Sequence, residues 1–240
     1  MGLTLKQVVP WGRSLNDYIR MFNLTEEDLN GSILDCGGGP SSFNAEATQA
    51  GTRVVSCDPL YQFSVEEING RILDTYPLIL EALDANLGKF VWRDITTPEH
   101  LGQLRLANMK QFLADFPTGK EQGRYLVESL PALPFRDRTF DLALCAHLLF
   151  SYSEQFDLDF HINAIREMCR VAKQARVFPL LTNFAGDISP HLHATIERLG
   201  ELGYGVCIED VKYEFQKGGN QMLCVFPPDS EIEEDSGILG

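Results

Sequence analysis

Five short, continuous apolar runs separated by helix-forming segments constrain the fold of this chain more than any other feature. The runs are SILD (32–35), RVVSCD (53–58), RYLVES (124–129), FDLALC (140–145) and ARVFPLL (175–181). Parallel strands that are covered by helices on both faces read as continuous apolar runs rather than as alternating ones. Their alternation with helical patterns predicts an open, doubly wound α/β sheet.

The C-terminal region adds two strands of a different kind. Within residues 206–226, Val211, Tyr213 and Phe215 alternate with polar residues, and two glycines follow at 218–219. Alternation interrupted by glycines predicts an antiparallel hairpin. The expected fold is therefore a Rossmann-like, doubly wound sheet of seven strands, mostly parallel, with a C-terminal antiparallel hairpin.

Helical patterns occupy the spaces between the strands. Helices are expected at residues 14–22, 43–50 and 157–173, and another is expected to begin at Ser189-Pro190 and to end at Gly203. A polar cap followed by proline is a typical helix start, and glycine is a typical helix end.

Residues 62–123 interrupt the alternation of single strands and helices, because a simple crossover between two strands needs far fewer than sixty residues. Helical patterns fill the segment, and one helix is expected from Thr97-Pro98 to Phe112. We expect a helical insertion after the second strand, placed to act as a lid over the site. The chain then forms a single domain over residues 1–227, and the acidic residues 228–240 form a disordered tail.

The charge of the chain excludes some partners. Its 240 residues carry a formal net charge of −14, whereas binding to extended nucleic acid or to an anionic membrane surface needs clustered Lys and Arg. No apolar stretch is long enough to span a bilayer, and the N-terminus lacks a secretory pattern. Six cysteines without a CxxC pair favour reduced thiols. A cytoplasmic protein that acts on a small molecule is expected, and its oligomeric state stays open.

An acid and three glycines follow the first strand, in the stretch SILDCGGGPSS at 32–42. Glycines between a strand and a helix let a ligand lie against the main chain, as in adenosine-type cofactor sites. Gly37 and Gly39 fit the dinucleotide pattern G-x-G-x-x-G, but Ser42 stands at its third glycine. A tight turn without a ligand is the alternative.

A second acid favours the cofactor site. Asp58 ends the second strand candidate, nineteen residues after Gly39. A carboxylate at this position can accept hydrogen bonds from both hydroxyls of a ribose. The alternative is a surface acid at a strand end.

With these residues in place, the sequence resembles the class I S-adenosylmethionine-dependent methyltransferases. Their first motif, D-x-G-x-G-x-G, is matched by Asp35, Gly37 and Gly39, and Ser41 departs from its third glycine. VVSCDP (54–59), LPALPFRDRTFDLALCAHLL (130–149), and EMCRVAK with RVFPLL (167–181) resemble their later motifs. The likeness covers most of residues 30–227 except the insertion, and more narrowly it points to an uncharacterised bacterial group.

The resemblance implies S-adenosylmethionine as the cofactor and assigns it a set of residues. These are Asp35, Gly37, Gly38, Gly39, Asp58, Pro59, Ser129, Leu130, Cys145 and His147. Asp35 is expected to hold the α-amino group directly or through water, the glycines to lie under the methionine moiety, and Asp58 to bind the ribose. Where the family has an acid near the adenine, this chain has Ser129, preceded by Glu128.

Catalytic residues are harder to infer, because methyl transfer mainly needs alignment and a dry pocket. His147, at the end of the fourth strand, is the candidate general base; a packed histidine is the alternative. Arg13 either holds the cofactor carboxylate or pairs with a surface acid. No metal site is expected, since His191 and His193 would point to different faces of a helix.

Three functions stay open at this point. A methyltransferase with an unknown, small-molecule acceptor is the leading one. A non-catalytic S-adenosylmethionine-binding protein and an NAD(P)-dependent oxidoreductase are the alternatives. Basic residues of the insertion, including Arg93, Arg105 and Lys110, either favour an anionic acceptor or are solvated helix charges.

Overall fold

The structure of the protein is a computed structural model that describes residues 9–183 and 186–228. Its strands are β1 (Ser32–Cys36), β2 (Arg53–Cys57), β3 (Tyr125–Leu126), β4 (Phe140–Ala146), β5 (Ala172–Phe178), β6 (Gly205–Asp210) and β7 (Gln221–Phe226). Its helices are α1 (Leu15–Phe22), α2 (Glu26–Asn30), α3 (Phe43–Gln49), α4 (Val65–Asp84), α5 (Pro98–Glu121), α6 (Leu158–Val171) and α7 (Leu192–Glu201).

The strands form one seven-stranded sheet in the order β3-β2-β1-β4-β5-β7-β6. The first five strands run parallel, and β7 lies antiparallel to both β5 and β6. The strand order reverses between β1 and β4, where ligands bind in open α/β sheets, outside the carboxyl ends of the strands. The predicted fold class is confirmed.

Helices cover both faces of this sheet. On one face, Ile165 and Met168 of α6 pack with Ala143 and Cys145 of β4 in a buried cluster. On the other face, the ring of Tyr18 in α1 stacks on Phe43 of α3, with ring centroids 4.0 Å apart. This burial on both faces explains why the strands read as continuous apolar runs.

The insertion consists mainly of α4 and α5, which pack against each other. The helix predicted to end at Phe112 continues to Glu121, so that boundary was wrong. Phe116, one turn beyond Phe112, is buried against Tyr125 and Tyr61. The apolar stripe therefore extends past the predicted end, and burial of Phe116 favours the longer helix.

The predicted hairpin has a different first strand. Residues 205–210 pair with β7, whereas residues 211–220 leave the sheet. In this loop the Phe215 carbonyl oxygen accepts a hydrogen bond from Val91 N at 2.7 Å, and Lys217 N donates to the Lys89 oxygen at 2.9 Å. Phe215 thus packs against Phe90 and Trp92 of the insertion, whereas the ring of Tyr213 packs on Phe178 of the sheet.

Two further boundaries differ from expectation. The last helix begins at Leu192, because the Ser189 hydroxyl accepts a hydrogen bond from His191 N in a turn before it. Strand β5 begins at Ala172, directly after α6. The proposed acidic tail lies outside the described residues except for Pro228. In the part of the chain that is described, no helix is both long and apolar enough to cross a membrane.

Candidate active site

The carboxyl ends of β1, β2 and β4 border a cavity of about 420 Å³, here called the large cavity. This volume lies within the range that small-molecule sites occupy, roughly 300–1,000 Å³. Its predicted lining residues are Gly37, Gly38, Gly39, Asp58, Pro59, Ser129, Leu130 and His147. The structure therefore brings eight of the ten predicted cofactor residues to one cavity.

The glycine turn lies against this cavity, and two of its glycines are also required by the protein's own packing. Gly37 has a φ of +70°, and a Cβ atom there would lie 2.6 Å from Leu148 Cδ2. A Cβ atom at Gly38 would lie 2.3 Å from Asp35 Oδ2. Gly39 differs, since only Asp58 Oδ2, at 3.9 Å, lies near its Cβ position. Gly39 is thus the glycine whose missing side chain leaves open space.

Asp58 is tied to the glycine turn by both of its carboxylate oxygens. Oδ2 accepts a hydrogen bond from Gly39 N at 2.9 Å, and Oδ1 accepts one from Leu60 N at 2.7 Å. Burial raises the pKa of this carboxyl, and the two backbone bonds oppose the rise. Each oxygen has a further lone pair, so the carboxylate can still accept hydrogen bonds from hydroxyl groups in the cavity.

Asp35 and Cys145 lie behind the wall of the large cavity and do not line it. The Asp35 carboxylate is 1 % exposed and accepts hydrogen bonds from Tyr18 Oη and Ser56 Oγ, both at 2.9 Å. Burial raises its pKa to about 7. Cys145 is fully buried in the core. Their positions support the turn and the sheet rather than a direct contact with a ligand.

The far side of the large cavity is apolar, and part of it was missed from sequence. Leu60, Phe63, Phe156 and Phe160 line it. The rings of Phe156 and Phe160 are stacked with centroids 4.3 Å apart. Phe156 precedes α6, and Phe160 lies in its first turn. This segment carries no motif, so only its position after the fourth strand could have indicated these residues.

His147 lies between the large cavity and a second, smaller one, and lines both. Its φ is +51°, an uncommon value for a residue other than glycine. Within the described residues, its buried Nε2 atom has no hydrogen-bond partner. Burial, aided by the charges of Arg13 and Arg105, holds its pKa well below the ordinary value. The imidazole is therefore neutral at pH 7, and burial with the two nearby arginines disfavours its protonated form.

The smaller cavity encloses about 100 Å³ and is here called the small cavity. The N-terminal segment, the insertion and the loop 211–220 all contribute to its walls. Its lining includes Trp11, Arg13, Ile79, Leu83, Phe90, Leu101, Arg105, Tyr152, Phe178, Tyr213 and Phe215. The insertion thus covers this cavity, and reaches the large cavity only through Gln62 and Phe63.

Two tyrosines near the cavities, the basic residues of the insertion and the two histidines at the start of the last helix lie in different places. Tyr152 lines the small cavity, whereas Tyr61 is buried beneath the glycine turn and donates its hydroxyl to the Gly39 oxygen at 2.9 Å. Arg93 and Lys110 are exposed. His191 lies within 3.1 Å of the Ser153 oxygen through Nε2, and His193 is exposed.

Comparison with known proteins gives one clear relationship. No protein-family model matches the sequence. An uncharacterised protein of Methanocaldococcus jannaschii, MJ0045, is 34 % identical over 226 residues, which cover 93 % of this chain and 98 % of the relative. The chain belongs to the same family. This relative is archaeal, and its description as uncharacterised gives no information about activity.

Solved structures show only distant similarity. Magnesium protoporphyrin IX methyltransferase from Synechocystis PCC 6803, with bound SAM, has a TM-score of 0.45 at 13 % identity, covering 88 % of this chain and 76 % of that one. The PH0226 protein of Pyrococcus horikoshii has a TM-score of 0.43 at 15 % identity, with 88 % and 85 % covered. At this level of similarity they do not bear on the function of this chain.

Proposed function

We propose that the protein is a methyltransferase that binds S-adenosylmethionine in the large cavity and methylates a small molecule in the small cavity. The observation that carries the proposal is the meeting of the glycine turn and Asp58 in one cavity, with a second cavity beside it that shares His147. The motifs that resemble class I methyltransferases support the same assignment.

The residues of the large cavity fit this cofactor. Asp58 would accept hydrogen bonds from the ribose hydroxyls, using lone pairs that the backbone leaves free. The open space at Gly39 leaves room for a ligand against the main chain. Leu60, Phe63 and Leu130 offer apolar surface for an adenine ring. When bound, the cofactor supplies an activated methyl group, so the protein need only align the acceptor and exclude water.

His147 is the residue that this chain offers for proton removal. Its unpartnered, buried Nε2 atom and lowered pKa describe a neutral imidazole at the junction of the two cavities. A general base is required where the acceptor atom is a protonated hydroxyl or amine. We assign His147 that role.

Calorimetric titration with S-adenosylhomocysteine and with NADH tests the cofactor directly. We expect S-adenosylhomocysteine to bind and NADH not to bind. The 2′-deoxyribose analogue of S-adenosylhomocysteine should bind roughly ten- to a hundredfold more weakly, because it lacks one hydrogen bond to a charged carboxylate. Removing the 2′-hydroxyl from the ligand, rather than the carboxylate from the protein, leaves the Asp58 contacts to the glycine turn intact.

The Asp58→Ala variant complements that experiment, with Asp94→Ala as the control. Asp94 is an exposed acid of the insertion, 72 % exposed, so its removal changes the net charge equally. If the variant lacking Asp58 loses no affinity and the deoxy analogue binds as tightly as the parent ligand, then Asp58 is not the ribose ligand. Tight NADH binding would overturn the proposed function itself.

A further inference from the structure

The small cavity has an unusual charge for this protein. Two arginines, Arg13 and Arg105, line it, and none of the described residues that line it is an aspartate or a glutamate. The chain as a whole carries a formal net charge of −14. The cavity is therefore a locally cationic chamber in an acidic protein, a distribution that favours anionic ligands.

Arg13 is the less compensated of the two charges. Its Nη1 atom donates to the Trp11 oxygen at 3.0 Å, and its buried Nε atom has no partner among the described residues. No carboxylate of the described chain forms an ion pair with it, so the surface acid considered from sequence is not found. Burial and the charge of Arg105 both lower its pKa. The Arg13 side chain is partly buried and has no counterion among the described residues, so a bound anion would offset the cost of its desolvation.

Arg105 is held in place by two partners, of which Tyr213 lines the cavity and Asp17 does not. Nη1 donates to Asp17, and Nη2 donates to the Tyr213 hydroxyl at 2.8 Å. Its Nε atom is buried and has no partner in the described structure. Asp17 does not line the cavity and offsets only one of the two positive charges. Since His147 is neutral, one net positive charge remains.

The other walls of the small cavity are mainly apolar, with polar groups from Tyr152, Asn183, Tyr213 and Gln216. Aromatic rings of Trp11, Phe90, Phe178 and Phe215 surround it, together with aliphatic side chains of the insertion. Phe90 and Phe215 are stacked with centroids 4.9 Å apart, which closes one wall. A ligand that suits both features has a compact apolar body and a single anionic group.

We propose that the acceptor is a small carboxylic acid with an aromatic or aliphatic body, and that its carboxylate binds Arg13, with Arg105 Nε as a second donor. This proposal rests on the proposed function, because it names the substrate class of the same site. A carboxylate is the anion chosen because its planar pair of oxygens matches the fork of guanidinium donors. The competing assignment gives Arg13 to the carboxylate of the cofactor.

Calorimetric titration with benzoate, benzamide and benzylamine tests the charge preference with three ligands of similar body. We expect benzoate to bind roughly ten- to a hundredfold more tightly than benzamide, the effect of one charged hydrogen bond, and benzylamine not to bind. The titrations are run with and without S-adenosylhomocysteine, so the result does not depend on cofactor binding. Equal binding of benzoate and benzamide would overturn the proposal.

The Arg13→Met variant tests which carboxylate Arg13 binds, with Arg93→Met as the control for the lost charge. Arg93 is exposed and lies in the insertion. We expect Arg13→Met to lose the preference for benzoate, while its ratio of affinities for S-adenosylhomocysteine and 5′-methylthioadenosine stays unchanged. The latter ligand lacks the amino-acid carboxylate.

The outcomes separate the two proposals. Arg13→Met could instead abolish the preference for S-adenosylhomocysteine over 5′-methylthioadenosine and retain the preference for benzoate over benzamide. Arg13 would then bind the carboxylate of the cofactor, and the acceptor assignment would be wrong. If S-adenosylhomocysteine does not bind the parent but benzoate is preferred, the anionic site stands and the proposed function fails. Near-ultraviolet circular dichroism of each variant verifies that the fold is retained.

Discussion

A side chain at Gly38 would collide with Asp35, because the Cβ position lies 2.3 Å from Asp35 Oδ2 and 2.9 Å from Tyr61 Oη. The glycine turn is therefore constrained from beneath by the protein's own polar groups. Gly39, one residue further, faces open space. The absence of a side chain thus has a different physical consequence at each of these neighbouring glycines.

This difference predicts that two matched variants both lose stability but differ in how much ligand affinity they lose. Gly38→Ala should destabilise the fold by about 1–3 kcal/mol, the usual cost of overpacking. Gly39→Ala should cost about 1–2 kcal/mol for its left-handed backbone, yet it should weaken S-adenosylhomocysteine binding far more than Gly38→Ala does in the folded fraction. Urea denaturation and calorimetry measure the two effects. Equal binding losses would mean that Gly39 has no special place in the site.

Asp35 predicts an unusual dependence of stability on pH. Burial raises its pKa to about 7 in the folded protein, above the ordinary value of 3.8. Between these two values the folded state binds the extra proton, so this contribution to stability is full below pH 4 and is lost as pH rises through about 7. The loss is on the order of 4 kcal/mol.

The Asp35→Asn variant isolates that contribution, since its side chain does not titrate. We expect the parent to lose stability relative to the variant as pH rises from 5 to 8, measured by urea denaturation at each pH. Parallel stability curves for the two proteins would show that Asp35 stays ionised over the whole range.

His147 is predicted to remain neutral well into acid. Its pKa is lowered first by burial and then by the two neighbouring arginines, so its imidazole should show no protonation at pH 6, where a free histidine side chain is largely charged. Nitrogen-15 spectra of the histidine rings over a pH series measure this directly. The His147→Asn variant assigns the signal, and asparagine tolerates the positive φ of +51°. A midpoint near 6.5 would contradict the buried, cationic setting.

The insertion is predicted to respond to the acceptor site rather than to the cofactor. Hydrogen exchange with S-adenosylhomocysteine should protect residues 37–39 and 58–63, which line the large cavity or adjoin its lining. Added benzoate should extend protection to residues 79–105, which include the walls of the small cavity. Protection of the whole insertion by S-adenosylhomocysteine alone would instead support the lid over the cofactor that the sequence predicts.

The sheet and the large cavity were largely predictable because their signals are local. A buried strand, a glycine turn and an acid at the next strand end each occupy a few consecutive residues, as Gly37, Gly39 and Asp58 do. The burial of Asp35 was not predictable, because the sequence shows an acid at a strand end but not that Tyr18 and Ser56 donate to its oxygens. Those partners come from a helix before the strand and from the neighbouring strand.

The small cavity was beyond sequence reasoning because it depends on contacts between distant segments. Tyr213 and Phe215 alternate as in a strand, but Phe215 packs against Phe90 and Trp92 of the insertion. The Tyr213 hydroxyl accepts a hydrogen bond from Arg105, and its ring packs on Phe178. From sequence, Arg105 is either a solvated helix charge or a contact for an anionic acceptor, and its partners Asp17 and Tyr213 are seen only in the structure. No local sequence pattern predicts contacts between segments so far apart in the chain.

The backbone pairing between residues 89–91 and the loop 211–220 links two stretches that lie more than a hundred positions apart in the chain. Exchanging only one of them for a segment with a different backbone path would displace the carbonyl oxygens of Phe215 and Lys89, to which Val91 N and Lys217 N donate. The two stretches should therefore be inherited together, and a change of acceptor would spread through both while the strands and the glycine turn stay constant. Engineering of the small cavity should therefore exchange the two stretches together.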